Sequence, residues 1–367
     1  MRRFFGHGRA RQTGFTVVEI LVAMVISLLL LAGIMTLFAN SRTSYESNDR
    51  LARIQENGRL GLELIARDVR AAGYWGCAKR TAAKPLRNVL NNSTDLLWNF
   101  GVPVQGFDAT ATGWSPALVA PADTDRADTD SGGPDVDGPT LGSDVLVVRG
   151  PKRDSTPQMV QTSMGSGTAD LSVYKPATNL ALNDIAIAGS CDQASVFQVT
   201  AYTAGSGTNP DVVAHAASGT PGNSGTDLGN RFYANQAEVF PVETVVYFVD
   251  TSTATPAPGV TSTSLWRRAG SNAPEEVVEG VDSFQVSFGI DTDHNRLADT
   301  YKTANDITDW DQVISVRVAL LVRSLTEYGS DQDTTARTLL GQSVAAFNDR
   351  RQRLVFTTTV NLRNKVF

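Results

Sequence analysis

The side chains that could do chemistry in this sequence are few. Histidine occurs only three times, at His7, His215 and His294. His215 stands near Gly222-Asn223-Ser224-Gly225, which faintly resembles a serine-protease nucleophile loop. A triad also needs a carboxylate placed to orient its base, and no other segment supplies that pattern. No phosphate-binding glycine loop, no G-x-S-x-G and no His/Cys metal spacing occurs, so the residues point away from an enzyme. The oxygen ligands of a calcium loop are better represented. Asp291, Asp293, Asn295 and Asp299 fall at positions one, three, five and nine of an EF-hand-like register, with a backbone carbonyl near Leu297. Arg296 stands where the turn glycine belongs and Lys302 where the bidentate Glu belongs, and the alternative is an Asp/Asn-rich turn after a strand. The run Asp123–Asp137 also holds carboxylates, but at irregular spacing, and reads as a solvated acidic loop. No other cofactor is expected. Cys77 and Cys191 could pair if the body is exported, or remain as buried thiols if it is not.

Glu19 is the most unusual acid. It is the single charge between Phe15 and Ala39, and from Ile20 to Ala39 the chain runs twenty residues without charge. As a helix that run spans roughly 30 Å, enough to cross a bilayer. Arg2, Arg3, Arg9 and Arg11 precede it with no intervening acid, which predicts an N-in, C-out orientation. A secretory signal peptide fits poorly, because the run leads to Phe38-Ala39-Asn40-Ser41 rather than a small-residue cleavage site. A carboxylate inside a span calls for a partner or a function, and no basic residue within the span supplies one.

The stretch Gly14-Phe15-Thr16-Val17-Val18-Glu19-Ile20-Leu21-Val22-Ala23-Met24 resembles the prepilin signal of type IV pilins and of type II secretion pseudopilins. The resemblance implies that a prepilin peptidase cuts between Gly14 and Phe15 and methylates the new Phe15 amine. It also implies that Glu19 meets the amine of a neighbouring subunit as subunits stack, a heterologous contact that builds filaments. Arg67-Asp68-Val69-Arg70-Ala71-Ala72-Gly73-Tyr74-Trp75-Gly76-Cys77 looks like the helix-to-body junction of the PilW minor pilins, relatives of the pseudopilin J group. Leu265-Trp266-Arg267-Arg268, Val278–Asp282, Val316–Ser324 and Thr357–Asn364 resemble the same family. The expected role is that of a low-copy structural subunit that helps initiate the pilus and sits at or near its tip. The partners implied are other minor pilins, the major pilin, the prepilin peptidase, the inner-membrane assembly platform and a tip adhesin. Alternatives are a pseudopilin-like secretion component, a tip adhesion or docking module, and a membrane-tethered hydrolase, the last disfavoured by the missing constellation.

These residues must be carried by a particular set of elements. Apolar residues at Leu51, Ile54, Gly58, Leu62, Ile65, Val69 and Ala72 make one helical stripe, and Gly73 is the stop signal. Residues 1–14 form a leader, 15–40 a membrane helix, 41–72 an amphipathic helix and 73–367 a β-rich body. Alternating or β-branched runs predict strands at Asp144–Arg149, Asp184–Ala188, Val196–Thr200, Val242–Asp250, Ser264–Arg268, Ser283–Ile290, Val313–Arg323 and Leu354–Leu362. The Gly/Ser/Thr/Pro-rich stretches Thr110–Gly142, Thr162–Thr168, Thr203–Asn230 and Thr251–Thr263 read as long loops. The fold class is α+β: a long pilin-like N-terminal helix packed on an antiparallel sheet, with further β-rich insertions. Net charge is −6, and removing the four leader arginines leaves 28 basic against 38 acidic residues, a balance of −10. An acidic body argues against nucleic acid as a partner.

Overall fold

One helix, α1 (Val17–Ala71), is the first element among the described residues. The structure, a computed structural model, describes residues 14, 16–77, 86–110, 113–118, 142–175, 180–253, 262–327 and 329–364. The arginine leader, Phe15 and Asp123–Asp137 lie outside the described residues. Two compact units divide the chain, residues 1–52 and 53–367. In the first unit the helix is apolar and exposed from Val17 to Phe38. It is long and apolar enough to cross a membrane, with a mean hydropathy of 2.8 in its most apolar window.

The second unit contains the rest of α1, and there the sequence stripe becomes a packing surface. Ile54, Gly58, Gly61, Ile65, Ala66 and Val69 are buried, and Leu62 packs against the same core. Leu51, in the first unit, is 38% exposed and lies outside that core. Two helical glycines, which cost roughly 1 kcal/mol each relative to alanine, have a steric reason. A Cβ at Gly58 would collide with the Phe356 ring, and one at Gly61 would lie 2.9 Å from a Leu320 methyl. The helix ends as its C-terminal residues prescribe. Gly73 takes φ +69, its N–H donates to the Arg149 carbonyl, and Asn364 Nδ2 donates to the Ala71 and Ala72 carbonyls.

Nineteen strands follow among the described residues. They begin with β1 (Arg87–Asn88), β2 (Val104–Ala109), β3 (Trp114–Ser115) and β4 (Val145–Pro151). Next come β5 (Gln158–Thr162), β6 (Leu171–Val173), β7 (Ile185–Ser190), β8 (Ala194–Gln198), β9 (Ala201–Thr203) and β10 (Asp211–Ala214). Then follow β11 (Ala237–Thr251), β12 (Thr263–Ala269), β13 (Glu275–Glu279), β14 (Val281–Ile290) and β15 (Thr300–Lys302). The chain closes with β16 (Val313–Arg323), β17 (Arg337–Leu339), β18 (Gln342–Val344) and β19 (Arg353–Asn361). Each of the eight runs expected from sequence overlaps one of these strands. The short β10 falls inside Thr203–Asn230, which the sequence marks as loop. Four residues hold too little alternation to register, and pairing with β6 and β9 makes the strand.

The long strand β11 joins two β cores. Its first five residues, Ala237–Pro241, pair with β7, while Val242–Tyr247 pair with β4 and Val245–Thr251 with β12. One core gathers the buried helix face with Val148, Tyr247, Leu265, Phe284, Phe288, Leu320 and their neighbours. The other is built from Val160, Phe197 and Val213 on the inserted strands, with Phe232 from the segment before β11 and Val239 on β11 itself. A separate four-stranded sheet runs β15-β14-β16-β19, antiparallel throughout. The architecture is α+β, a long helix on largely antiparallel sheets with an inserted β core.

Candidate functional site

At the start of α1, Thr16 and Glu19 bond to each other in both directions. The Thr16 N–H donates to Glu19 Oε2 at 2.9 Å and the Thr16 hydroxyl donates to the same oxygen at 3.0 Å. The Glu19 N–H donates back to Thr16 Oγ1 at 3.3 Å. This is a capping box, formed because Thr and Glu stand three apart at a helix N-terminus. Sequence reasoning looked for a cationic partner to Glu19 and passed over this local one, although its T-x-x-E spacing is visible in the chain. The Gly14–Phe15 junction directly precedes Thr16 in the chain, and Phe15 lies outside the described residues.

Past the helix, Trp75 is buried against Phe100 and Phe240, and Cys77 bonds to Cys191 with a Cα–Cα distance of 4.4 Å. The bridge ties the segment after α1 to the turn between β7 and β8, 114 residues further on. Both half-cystines are exposed.

The Asp291–Asp299 loop gathers its carboxylates as the spacing suggests. Oxygens of Asp291, Asp293 and Asp299 lie within 4.8 Å of one another, with Asp291 buried and the other two exposed. Asp291 accepts from the Asn295 and Arg296 N–H groups at 3.1 and 2.9 Å. Asp293 accepts from Asn295 Nδ2 at 2.9 Å, and Asn295 Oδ1 accepts from the Leu297 N–H. Bonds from the Thr292 hydroxyl and N–H to Asp299 hold its carboxyl below the usual range. Arg296 takes φ +74, the left-handed conformation for which such a turn normally employs glycine. Asp291, Asp293, Asp299 and the Asn295 carbonyl oxygen are the groups here that could hold a hard cation.

The faint hydrolase residues have other partners. Ser224 Oγ donates to the Val89 carbonyl at 3.0 Å, and His215 Nε2 lies 3.0 Å from the Ala169 carbonyl. Asn223 bonds to Gln198 and the Ala216 carbonyl. The loop is stitched to the inserted core by these contacts.

Buried ionic clusters are the features that sequence reasoning missed. Asp68, on α1, accepts from Tyr247 Oη at 2.7 Å and Arg267 Nε at 3.3 Å, and Arg267 also reaches Glu243 and Glu275. Burial and the Asp68 carboxylate push the Tyr247 hydroxyl far up. Asp282 joins Arg323 and Arg353 across β14, β16 and β19. Arg353 in turn holds Asp333 and Asp349, and its bonds keep the Asp349 carboxyl well below the carboxylate range. Arg149 is fully buried, donating to the Val102 and Leu96 carbonyls and to Gln105, and desolvation pushes it down to about 9. Asp68, Arg267 and Arg323 all lie in the segments that resemble the PilW family, so their positions were marked while their pairings were not.

Residues 9–35, which contain Gly14, Phe15 and Glu19, match the prokaryotic N-terminal methylation motif. Residues 246–364 match the type IV pilus-assembly protein W family. No curated protein matches the chain. Among solved structures, a type IV-like pilin from Thermus thermophilus is 15% identical, covering 50% of this chain and 86% of its own, with a TM-score of 0.21. The chain thus carries a prepilin methylation motif at one end and, over its last third, a region similar to the type IV pilus-assembly protein W family.

Proposed function

We propose that the chain is a minor pilin, a low-copy subunit that helps initiate the pilus and lies at or near its tip. The observation that carries this reading is the exposed apolar half of α1, headed by Glu19 within a methylation motif. The basic leader stays in the cytoplasm, the β-rich body faces outward, and the prepilin peptidase cuts at Gly14–Phe15 and methylates Phe15. The released ammonium of a neighbouring subunit pairs with Glu19 in the apolar interior of the stack, where a lone carboxylate is costly. That pairing competes with Thr16, whose two bonds satisfy Glu19 before assembly. Other minor pilins, the major pilin, the assembly platform and a tip adhesin are the partners this role requires.

The experiment is Glu19→Ala expressed in a deletion strain, after checking cleavage and membrane level. The variant inserts normally, yet its amount in sheared pili and the surface piliation both fall. Equal incorporation and equal piliation would refute the pairing. Normal piliation in the deletion strain itself, with failed protein secretion, would assign the chain to a secretion pseudopilus instead.

A further inference from the structure

The outer edge of β19 is the one long strand edge left open among the described residues. The larger sheet ends on β1, β9, β3 and β13. Three of these have two or three residues, and β13 carries three glutamates and a register shift. Short, charged or bulged edges are how sheets avoid pairing with other chains. β15, at the far side of the smaller sheet, also has only three residues. β19 has nine, pairs with β16 without a bulge, and contains neither proline nor lysine.

The bonds at its two ends fix which backbone groups are open. Ser324 N–H donates to the Gln352 carbonyl and Leu362 N–H to the Ile314 carbonyl, each at 2.8 Å. Residues 352 and 362 therefore face β16, and in an antiparallel ladder every second residue between them does the same. The N–H and C=O groups of Val355, Thr357, Thr359 and Asn361 consequently point away from the sheet. The side chains of these four residues are exposed too, Val355 by 45%. Groups alternating at this spacing are matched only by another extended backbone. Beside them, Arg317 lies 3.7 Å over the Tyr301 ring and donates to Thr359 Oγ1. Neither Arg317 nor the exposed Arg363 meets a carboxylate among the described residues.

We propose that this edge takes an added strand from a partner protein, a β-branched segment whose one charge is a carboxylate level with Thr359. The inference stands apart from the minor-pilin reading, since the edge is the same whatever complex the chain joins. The probe is a synthetic peptide of alternating Thr and Val with one terminal Glu, titrated against the full chain in detergent micelles. Binding slows hydrogen exchange at the amides of Val355, Thr357, Thr359 and Asn361. Thr357→Pro removes an outward N–H and leaves the β16 ladder intact, a position where edge strands tolerate proline. It weakens binding about tenfold, the equivalent of one or two lost hydrogen bonds, whereas Thr357→Val does not. A peptide N-methylated at alternate amides fails to bind the unaltered chain, which keeps the test decisive should Thr357→Pro misfold. Absence of binding, equal binding of the N-methylated peptide, or protection elsewhere would overturn the proposal. So would a concentration-dependent dimer abolished by Thr357→Pro, which would give the edge to a second copy.

Discussion

Asp144 offers a stability switch whose sign can be worked out. It is buried, its Oδ1 accepting from the Ala109 N–H at 3.1 Å and its Oδ2 from the Val286 N–H at 2.9 Å. It thus pins β2 to β14. Those two bonds favour the carboxylate, but desolvation outweighs them and, with Asp108 nearby, lifts the group from 3.8 to about 7. Between these values the folded chain holds a proton that the unfolded chain has released. The contribution of Asp144 therefore falls as pH rises through that interval and levels off above about 7. From pH 5 to pH 8 the loss is about 3 kcal/mol, taking 1.36 kcal/mol per pH unit over the titrating range. Asp144→Asn abolishes the titration at a cost of about 1–2 kcal/mol, because its Nδ2 must face one of the two N–H donors. The asparagine variant is accordingly the less stable form at pH 5 and the equal or better one at pH 8. Urea unfolding of both full-length proteins in micelles across this range measures the difference. Parallel curves, with a constant gap at every pH, would refute the assignment.

The Cys77–Cys191 bridge closes a loop of more than a hundred residues, so Cys77→Ser with Cys191→Ser should lower stability by about 2–5 kcal/mol in denaturant titrations. Thiols alkylatable without reductant in protein taken from the periplasm would show that the bond does not form in the cell. Calcium should raise the melting temperature of the full chain, by about 2.7 kcal/mol of linkage at a hundredfold excess over its dissociation constant. Asp293→Ala should cancel the rise, and an unchanged response would place the ion elsewhere.

Much of this protein was legible in its residue order, and the legible part is local. The uncharged run from Ile20, the stripe Ile54-Gly58-Ile65-Val69 and the alternation in Val313–Arg323 each express a period that one element imposes on itself, so neighbours in sequence suffice to reveal them. The Thr16–Glu19 capping box is equally local, three residues apart, and its T-x-x-E spacing stands in the chain. The Asp291–Asp299 loop falls between these cases: its spacing was plain, but only the backbone shows Arg296 in the left-handed position where a glycine was expected.

Tertiary structure decided whatever depends on contacts far apart in the chain. Nothing near Asp68 announces Tyr247 or Arg267, 179 and 199 residues away, because an ion pair needs proximity in space and leaves no period in sequence. The same holds for the collision that forbids a side chain at Gly58, set by Phe356 on the last strand. It holds for the division of β11 between two cores, since one continuous strand does not say which strands will flank each half. The open edge of β19 belongs to this class as well. Both β16 and β19 are rich in β-branched residues, and what opens the edge is position: β16 has a neighbour on both sides, whereas β19 has one. Order along the chain determined which segments become helix or strand; packing determined which of their polar groups remained unpaired.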